Sequence, residues 1–444
     1  MFDLETNIRA WADRLRLSEK ISEDDVLELE DHLREEIDEL KSKGLSGDEA
    51  FLISVKRMGN ITSLSMEYSK VNTEDLWKNL LSDASKNQNY YKDIFLVLVF
   101  AIIAGTLAKI PNFFGLTMDD LAYFKNLSFF ILPVTAIYFG ITRKIDKKIV
   151  TYVASVFLIS LVIVNLYPSY SPNHTEVLTA LHLPLLLWLV TGIAYTGKKW
   201  KEYKDRMNFL RLTGESIIYG SLIVLGTMVL VGFTAMIFET ISIDISDGVI
   251  SNIGIFGGTT AFMLTIYLVE KKKSVVENFA PILAKIFSPL FLITMIIFLI
   301  VMVYTGSNPS EDRNFLIAFD VMLVLVLGLV IYTISARDMN NRINIFDYIN
   351  AALIITAIIL DVVALSAIIN RLTEYGISPN KLAALGENIL LLVNLTGLLW
   401  YYGKYFKGKI QFKKIEIFQT KYLTFYGIWF STVVFIFPVL FRFQ

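Results

Sequence analysis

The sequence predicts an all-α, polytopic membrane protein of about 11 spans with an N-terminal cytoplasmic helical bundle. Three observations predict it. Of 444 residues, 54% are hydrophobic and only 19% are charged, below the roughly 25% charged of an average soluble protein. The apolar residues fall in runs of about 20, the length that crosses a hydrocarbon core of about 30 Å. Between those runs, basic residues crowd onto alternate loops, the pattern that fixes membrane orientation.

The head comes first. Leu4, Ile8, Trp11 and Leu15 recur at spacings of three and four, which predicts an amphipathic helix. Ser22 and Asp25 resemble a capping box. Behind them Val26, Leu29, Leu33, Ile37 and Leu40 form one apolar stripe, ended by Gly44 as a C′ residue. A second box, Ser46 with Glu49, opens a helix carrying Phe51, Val55 and Met58 and stopping at Gly59. Ile61, Leu64 and Tyr68 mark a shorter fourth helix, and residues 72–92 read as a polar helical connector. Domain bounds follow: a prefix domain at 1–70, a connector at 71–92 and a membrane domain at 93–441.

Residues 1–92 carry a net charge of −7 and the remainder +6. An acidic head argues against direct nucleic-acid binding and against lying on an anionic leaflet. Segment 23–39 holds ten acidic residues opposite the apolar stripe. Two readings stay open: a solvated helix face, or a docking surface for a basic cytoplasmic regulatory protein through Glu28, Asp31, Glu35 and Asp38.

Glu28-Leu29-Glu30-Asp31-His32-Leu33, Gly44-Leu45-Ser46, Glu49-Ala50-Phe51 and Arg57-Met58-Gly59-Asn60 carry a resemblance. Over residues 1–70 the head resembles permease prefix domains, also called HAAS-type domains. That family precedes bacterial membrane proteins and is associated with regulators of the PadR type. The resemblance implies a signalling or docking role and no catalytic residue.

The candidate spans are 93–109, 124–141, 149–167, 177–195, 216–238, 248–270, 286–304, 315–335, 349–369, 382–403 and 422–441. Lys125 and Pro133 make the second the weakest. With the head inside, inner loops hold 22 Lys and Arg residues and outer loops six. That places the N-terminus in the cytoplasm and the C-terminus outside the plasma membrane. No basic region precedes an apolar core at the N-terminus, so no signal peptide is expected. Segment 274–285, behind Lys271–Lys273, reads either as an interfacial amphipathic helix or as a loop broken by Pro281. Gly254 and Gly258 form a GxxxG pair expected to serve close helix packing inside the bundle first, and a dimerisation face second.

Asp320, Asp361 and Glu387 lie within the last spans, where a charge costs at least ~2.5 kcal/mol without a partner or water. Counted from the predicted span ends, all three fall in one layer about 7–12 Å below the outer surface. The functional reading is an outward polar pocket for a cation, protons or a polar ligand. Asp320, Asp361 and Glu387 line it, Arg371 is the counter-charge, and Asn388 and Asn394 add polar groups. The alternative is that these carboxylates satisfy groups between helices. His182 reads as a packing histidine, and His174 falls in a polar outer loop, Pro168 to Glu176.

The chain has no Cys and three His, which removes thiolate chemistry and leaves little for a metal site. No Walker A loop, GxSxG elbow or HExxH pair is present. No cofactor and no metal are expected, and an enzyme is the less favoured class. The stretch Arg371-Leu372-Thr373-Glu374-Tyr375-Gly376-Ile377-Ser378-Pro379-Asn380-Lys381, with Leu382-Ala383-Ala384-Leu385-Gly386-Glu387-Asn388, Val393-Asn394-Leu395, Gln419-Thr420-Lys421-Tyr422-Leu423 and Phe437-Pro438, is similar to a bacterial family known as domain of unknown function 4153. The family pattern carries Arg where this chain has Lys381. The resemblance implies a multi-span membrane protein and brings no substrate. Together these readings predict a membrane sensor or regulator with a cytoplasmic interaction module, or else a permease or ion-coupled transporter using the carboxylates.

Overall fold

The computed structural model describes residues 3–16, 23–58, 93–117, 120–240, 247–270, 279–306, 313–337 and 343–444. They divide into two units, Met1–Phe95 and Leu96–Gln444.

In the first unit, α1 (Leu4–Arg16), α2 (Glu23–Ser42) and α3 (Gly47–Met58) pack around Ile8, Trp11, Val26, Leu29, Leu33, Ile37 and Leu40. Among the described side chains of α3, Ala50 and Ser54 are buried and Phe51 and Val55 half-buried, while that of Met58 lies outside the described residues. Gly44 takes φ +93°, which only glycine adopts without strain, so α2 ends there. Ser46 and Glu49 close the capping box: the Ser46 backbone donates to Glu49 Oε2 at 3.1 Å and the Glu49 backbone to Ser46 Oγ at 3.5 Å. Arg34 ties α2 to α1, donating to both Glu5 oxygens at 2.7 and 3.0 Å, and to Glu30 at 2.8 Å. Asp31, Glu35 and Asp38 are exposed on α2. The side chains of Glu28 and Leu15, the Ser22–Asp25 box, the fourth helix and the connector lie outside the described residues.

Among its described residues, the regular elements of the second unit are all helices. It comprises α4 (Asp93–Phe114), α5 (Leu121–Thr142), α6 (Lys147–Leu166), α7 (His174–Thr196), α8 (Tyr203–Thr240) and α9 (Asp247–Glu270). After these come α10 (Phe279–Thr305), α11 (Arg313–Ala336), α12 (Ile345–Tyr375), α13 (Pro379–Phe406) and α14 (Lys413–Leu440). Among the described residues, ten helices are long and apolar enough to cross a membrane. The chain is therefore a multi-pass, all-α membrane protein. The sixth expected span corresponds to α9, whose apolar stretch Gly254–Glu270 is shorter, about 26 Å at 1.5 Å per residue.

Several elements depart from the sequence expectation for identifiable reasons. Helix α8 begins at Tyr203 rather than near 216, because Met207, Phe209 and Leu212 are buried. Arg211, also in that added stretch, finds the Ser335 carbonyl at 2.7 Å. Pro281 sits in the first turn of α10, where a missing N–H is tolerated. Residues 279–285 thus belong to that helix, and 271–278 lie outside the described residues. Lys125 is buried and paired with Glu176 at 2.7 Å. The GxxxG expectation is corrected: nothing lies within 4 Å of a Cβ built at Gly254 or Gly258. The close approach is at Gly105 of α4, over which Phe256 and Thr259 of α9 sit.

One core dominates. Leu323, Val326, Val330 and Ile334 of α11 meet Leu353, Ile354, Ala357 and Leu360 of α12 and Leu391, Leu395, Leu398 and Tyr402 of α13. Each set follows the three–four spacing of one helix face. At the Ala336–Ile345 end, Arg337 grips both Asp347 oxygens at 2.7 and 2.9 Å and donates to Tyr405 Oη at 2.7 Å. Burial alone would lower the Arg337 pKa, but the Asp347 carboxylate outweighs it and holds the guanidinium charged. Between α13 and α14, Trp429 lies on Gly386 and Phe418 on Gly397.

Candidate functional site

At the opposite end of α12, four helices surround a cavity of about 440 Å³. Each contributes through its local geometry. Helix α7 starts at His174, so that His174, Leu178, Leu181 and His182 reach the cavity along one face. Helix α11 contributes Leu316, Ile317 and Asp320 from its first two turns. Helix α12 contributes Ile368 and Arg371 from its last turns, and α13 contributes Lys381, Ala384 and Glu387. Pro379 at the first position of α13 sets that helix's direction, and Lys381 Nζ donates to the Gly376 carbonyl at 2.9 Å.

Two consecutive residues of α13 point different ways, as a 100° step around a helix requires. Glu387 faces α7: its Oε1 lies 2.5 Å from His182 Nε2. His182 Nδ1 lies 2.8 Å from the Leu178 carbonyl. A carbonyl only accepts, so Nδ1 carries the hydrogen there. Nε2 is the ring nitrogen left to face Glu387. Asn388 faces α11 instead, donating to Asp320 Oδ1 at 2.9 Å and to the Ala384 carbonyl at 2.9 Å. Its own Oδ1 is buried without a partner.

Asp320, Glu387 and Arg371 therefore meet at one cavity, with Asn388 holding Asp320. Asp361 and Asn394 do not line it. Asp361 lies ten residues from Arg371 along α12, about 15 Å further from that end, and near the middle of a 31-residue helix. The helix runs on to Tyr375 where the predicted span ends at 369, so Asp361 lies further from its helix end than the sequence predicts. Asp361 is 0% exposed and both carboxylate oxygens lack a hydrogen-bond partner. It remains within electrostatic reach of Asp320 and of Tyr426. Asn394 joins a separate buried group: it donates to Gln419 Oε1 at 3.1 Å and accepts from Tyr426 Oη at 3.1 Å.

Sequence reasoning missed His182 and His174 as members of the site. A signal existed, since His182 and Glu387 each sit eight residues from the start of their helices, His174 and Pro379. Chemically, the cavity offers two carboxylates, a guanidinium, an ammonium and a hydrogen-bonded His182–Glu387 contact between α7 and α13. Among the described residues no group of three His, Asp or Glu side chains is placed to hold a metal ion. Comparison with protein families, with characterised proteins and with solved structures found no match.

Proposed function

We propose that this chain is a membrane sensor whose cavity between α7, α11, α12 and α13 binds a small polar solute carrying both charges. The observation that carries the reading is opposed charge within one cavity. Asp320 and Glu387 would take a cationic group, and Arg371 and Lys381 an anionic or acceptor group. The volume, about 440 Å³, falls in the range of small-molecule sites. In this reading the protein sits in the plasma membrane with the N-terminus inside and the cavity outside, on the strength of the charge bias of the loops. The head, with Asp31, Glu35 and Asp38 exposed, docks a cytoplasmic regulatory protein.

The test has two parts. Thermal unfolding of the purified chain is measured against a panel of zwitterions, simple amines and simple carboxylates. A zwitterion should raise the midpoint in the parent and lose its effect in Glu387→Gln and Arg371→Gln; equal response in all three ends the proposal. Co-purification with and without residues 1–70 then reads the head: a soluble partner should be captured with the full chain alone.

A second reading, an ion-coupled transporter, is supported by Asp361, a partnerless carboxyl in mid-helix beside Asp320. Uptake of the same zwitterion into proteoliposomes, abolished by Asp361→Asn, would move the assignment from sensor to carrier.

A further inference from the structure

A second cavity, on the flank of the bundle, has a different character. Walls from α7 and α14, with Tyr152 of α6 and the start of α8, enclose a groove of about 550 Å³. Leu189, Val190 and Ile193 line one wall and Leu423, Ile428 and Phe435 the other. Along α14 it runs from Leu423 to Ile436, about 20 Å at 1.5 Å per residue. Three of its hydroxyls are spent within their own helices: Thr196 donates to Gly192, Ser431 to Gly427 and Thr432 to Ile428, at 2.8–2.9 Å. All these segments belong to membrane-spanning helices, so the groove borders the bilayer and its walls suit an acyl chain.

One end is not apolar. Arg206 lines the groove beside Trp200, and it is the sole charged side chain among the lining residues. Of its five donors, one bonds the Lys201 carbonyl at 3.3 Å, and its Nε is buried with no partner. Lys199, Lys201 and Lys204 precede it in sequence, with Glu202 and Asp205 among them, while Lys198 is committed to Asp146 at 2.9 Å. Trp200 is 41% exposed, the placement of an aromatic at the headgroup level. An anionic oxygen is what an under-used guanidinium at the mouth of an apolar groove recognises. Basic pockets between membrane helices bind anionic headgroups on this principle.

We propose that this groove is a binding site for one anionic glycerophospholipid, its acyl chain lying between α7 and α14 and its phosphate at Arg206. The site is independent of the cavity at Glu387 and stands whether or not that cavity binds a solute.

Native mass spectrometry of the full chain, released from a detergent containing equal phosphatidylglycerol and phosphatidylethanolamine, tests it. The parent should retain phosphatidylglycerol several-fold over phosphatidylethanolamine. Arg206→Gln should bring that ratio to near one, and Arg206→Lys should restore part of it. Gly427→Leu, whose new side chain enters the groove beside Leu189, should reduce retention of both lipids. A parent ratio near one, or an Arg206→Gln ratio equal to the parent's, overturns the proposal. Loss of retention in Gly427→Leu alone also overturns it, leaving a groove that takes any acyl chain.

Discussion

Asp361 presents two buried acceptor oxygens to a hydrocarbon-facing bundle and meets no donor. Burying a polar group without a hydrogen bond costs about 1–3 kcal/mol on mutational scales, so nothing structural in its neighbourhood favours a carboxyl there. We expect Asp361→Leu to raise the thermal midpoint of the purified protein, consistent with removing a cost of about 1–3 kcal/mol. A fall in the midpoint would show that the carboxyl is partnered in the membrane. Glu387 differs, because its removal leaves His182 Nε2 without the group it now meets at 2.5 Å. Glu387→Leu should lower the midpoint, and Glu387→Leu with His182→Leu should recover most of the loss. These two residues also mark where sequence reasoning reached its limit. Asp320, Glu387 and Arg371 are legible because depth follows from counting along a helix. The His182–Glu387 pair is not, since 205 residues separate its members and depth alone does not say which helices are neighbours.

At the scale of elements, helix existence was readable from apolar runs and helix ends were not. Helices α8 and α12 both run past their apolar stretches, because the extra turns are held by tertiary partners rather than by hydropathy. For α8 the partners are the Ser335 carbonyl and the main core; for α12 the capping box of Asn344 and the Arg337 grip on Asp347. That ion pair is almost fully buried, with side chains 7% and 4% exposed. Removing one partner of a buried pair costs about 3–5 kcal/mol, whereas replacing both by apolar groups is often near neutral. Asp347→Leu should therefore lower the midpoint steeply, and Arg337→Met with Asp347→Leu should recover most of it. Packing of α13 on α14 leaves no room at Gly386, where a Cβ would fall 1.9 Å from the Trp429 ring. Gly386→Ala should cost about 1–3 kcal/mol by overpacking, and Trp429→Leu should relieve it. In the head, Arg34 hydrogen-bonds Glu5 and holds its carboxyl below the ordinary 4.5. A depressed carboxyl stabilises the native state fully above its unfolded value. The tie of α1 to α2 should thus be intact above pH 4.5 and be lost as pH falls through the lower native value. Hydrogen-exchange protection of α1, corrected for intrinsic rate, should show that acid loss in the parent and not in Glu5→Gln.

For the whole molecule, the decisive quantity is the number of crossings, because each one inverts every loop after it. Among the described residues ten helices are long enough on composition alone, and α9 is the marginal one. The charges supply a separate constraint. If α9 crosses, Lys285, Arg337, Arg342 and the six lysines of 404–421 share a side with Lys198, Lys199 and Lys201. If it does not, those nine residues move to the opposite side, against the tendency of basic loops to stay in the cytoplasm. The same inversion would part the two walls of the cavity: the loop before His174 and the turn at Gly376 would lie on opposite faces of the membrane. Yet His174 and Arg371 line one cavity, which requires the ends of α7 and α12 to be neighbours. Packing and charge thus agree on α9 as a crossing, with its short apolar stretch met by local thinning or by partners for its end groups. The absence of cysteine makes this directly measurable. Single variants Tyr170→Cys, Lys199→Cys, Ile377→Cys and Lys409→Cys place one thiol in each of four loops. In intact cells a membrane-impermeant maleimide should label Tyr170→Cys and Ile377→Cys, and label Lys199→Cys and Lys409→Cys only after permeabilisation. Labelling of Tyr170→Cys with Lys409→Cys, and not Ile377→Cys, would instead mean that α9 turns back without crossing.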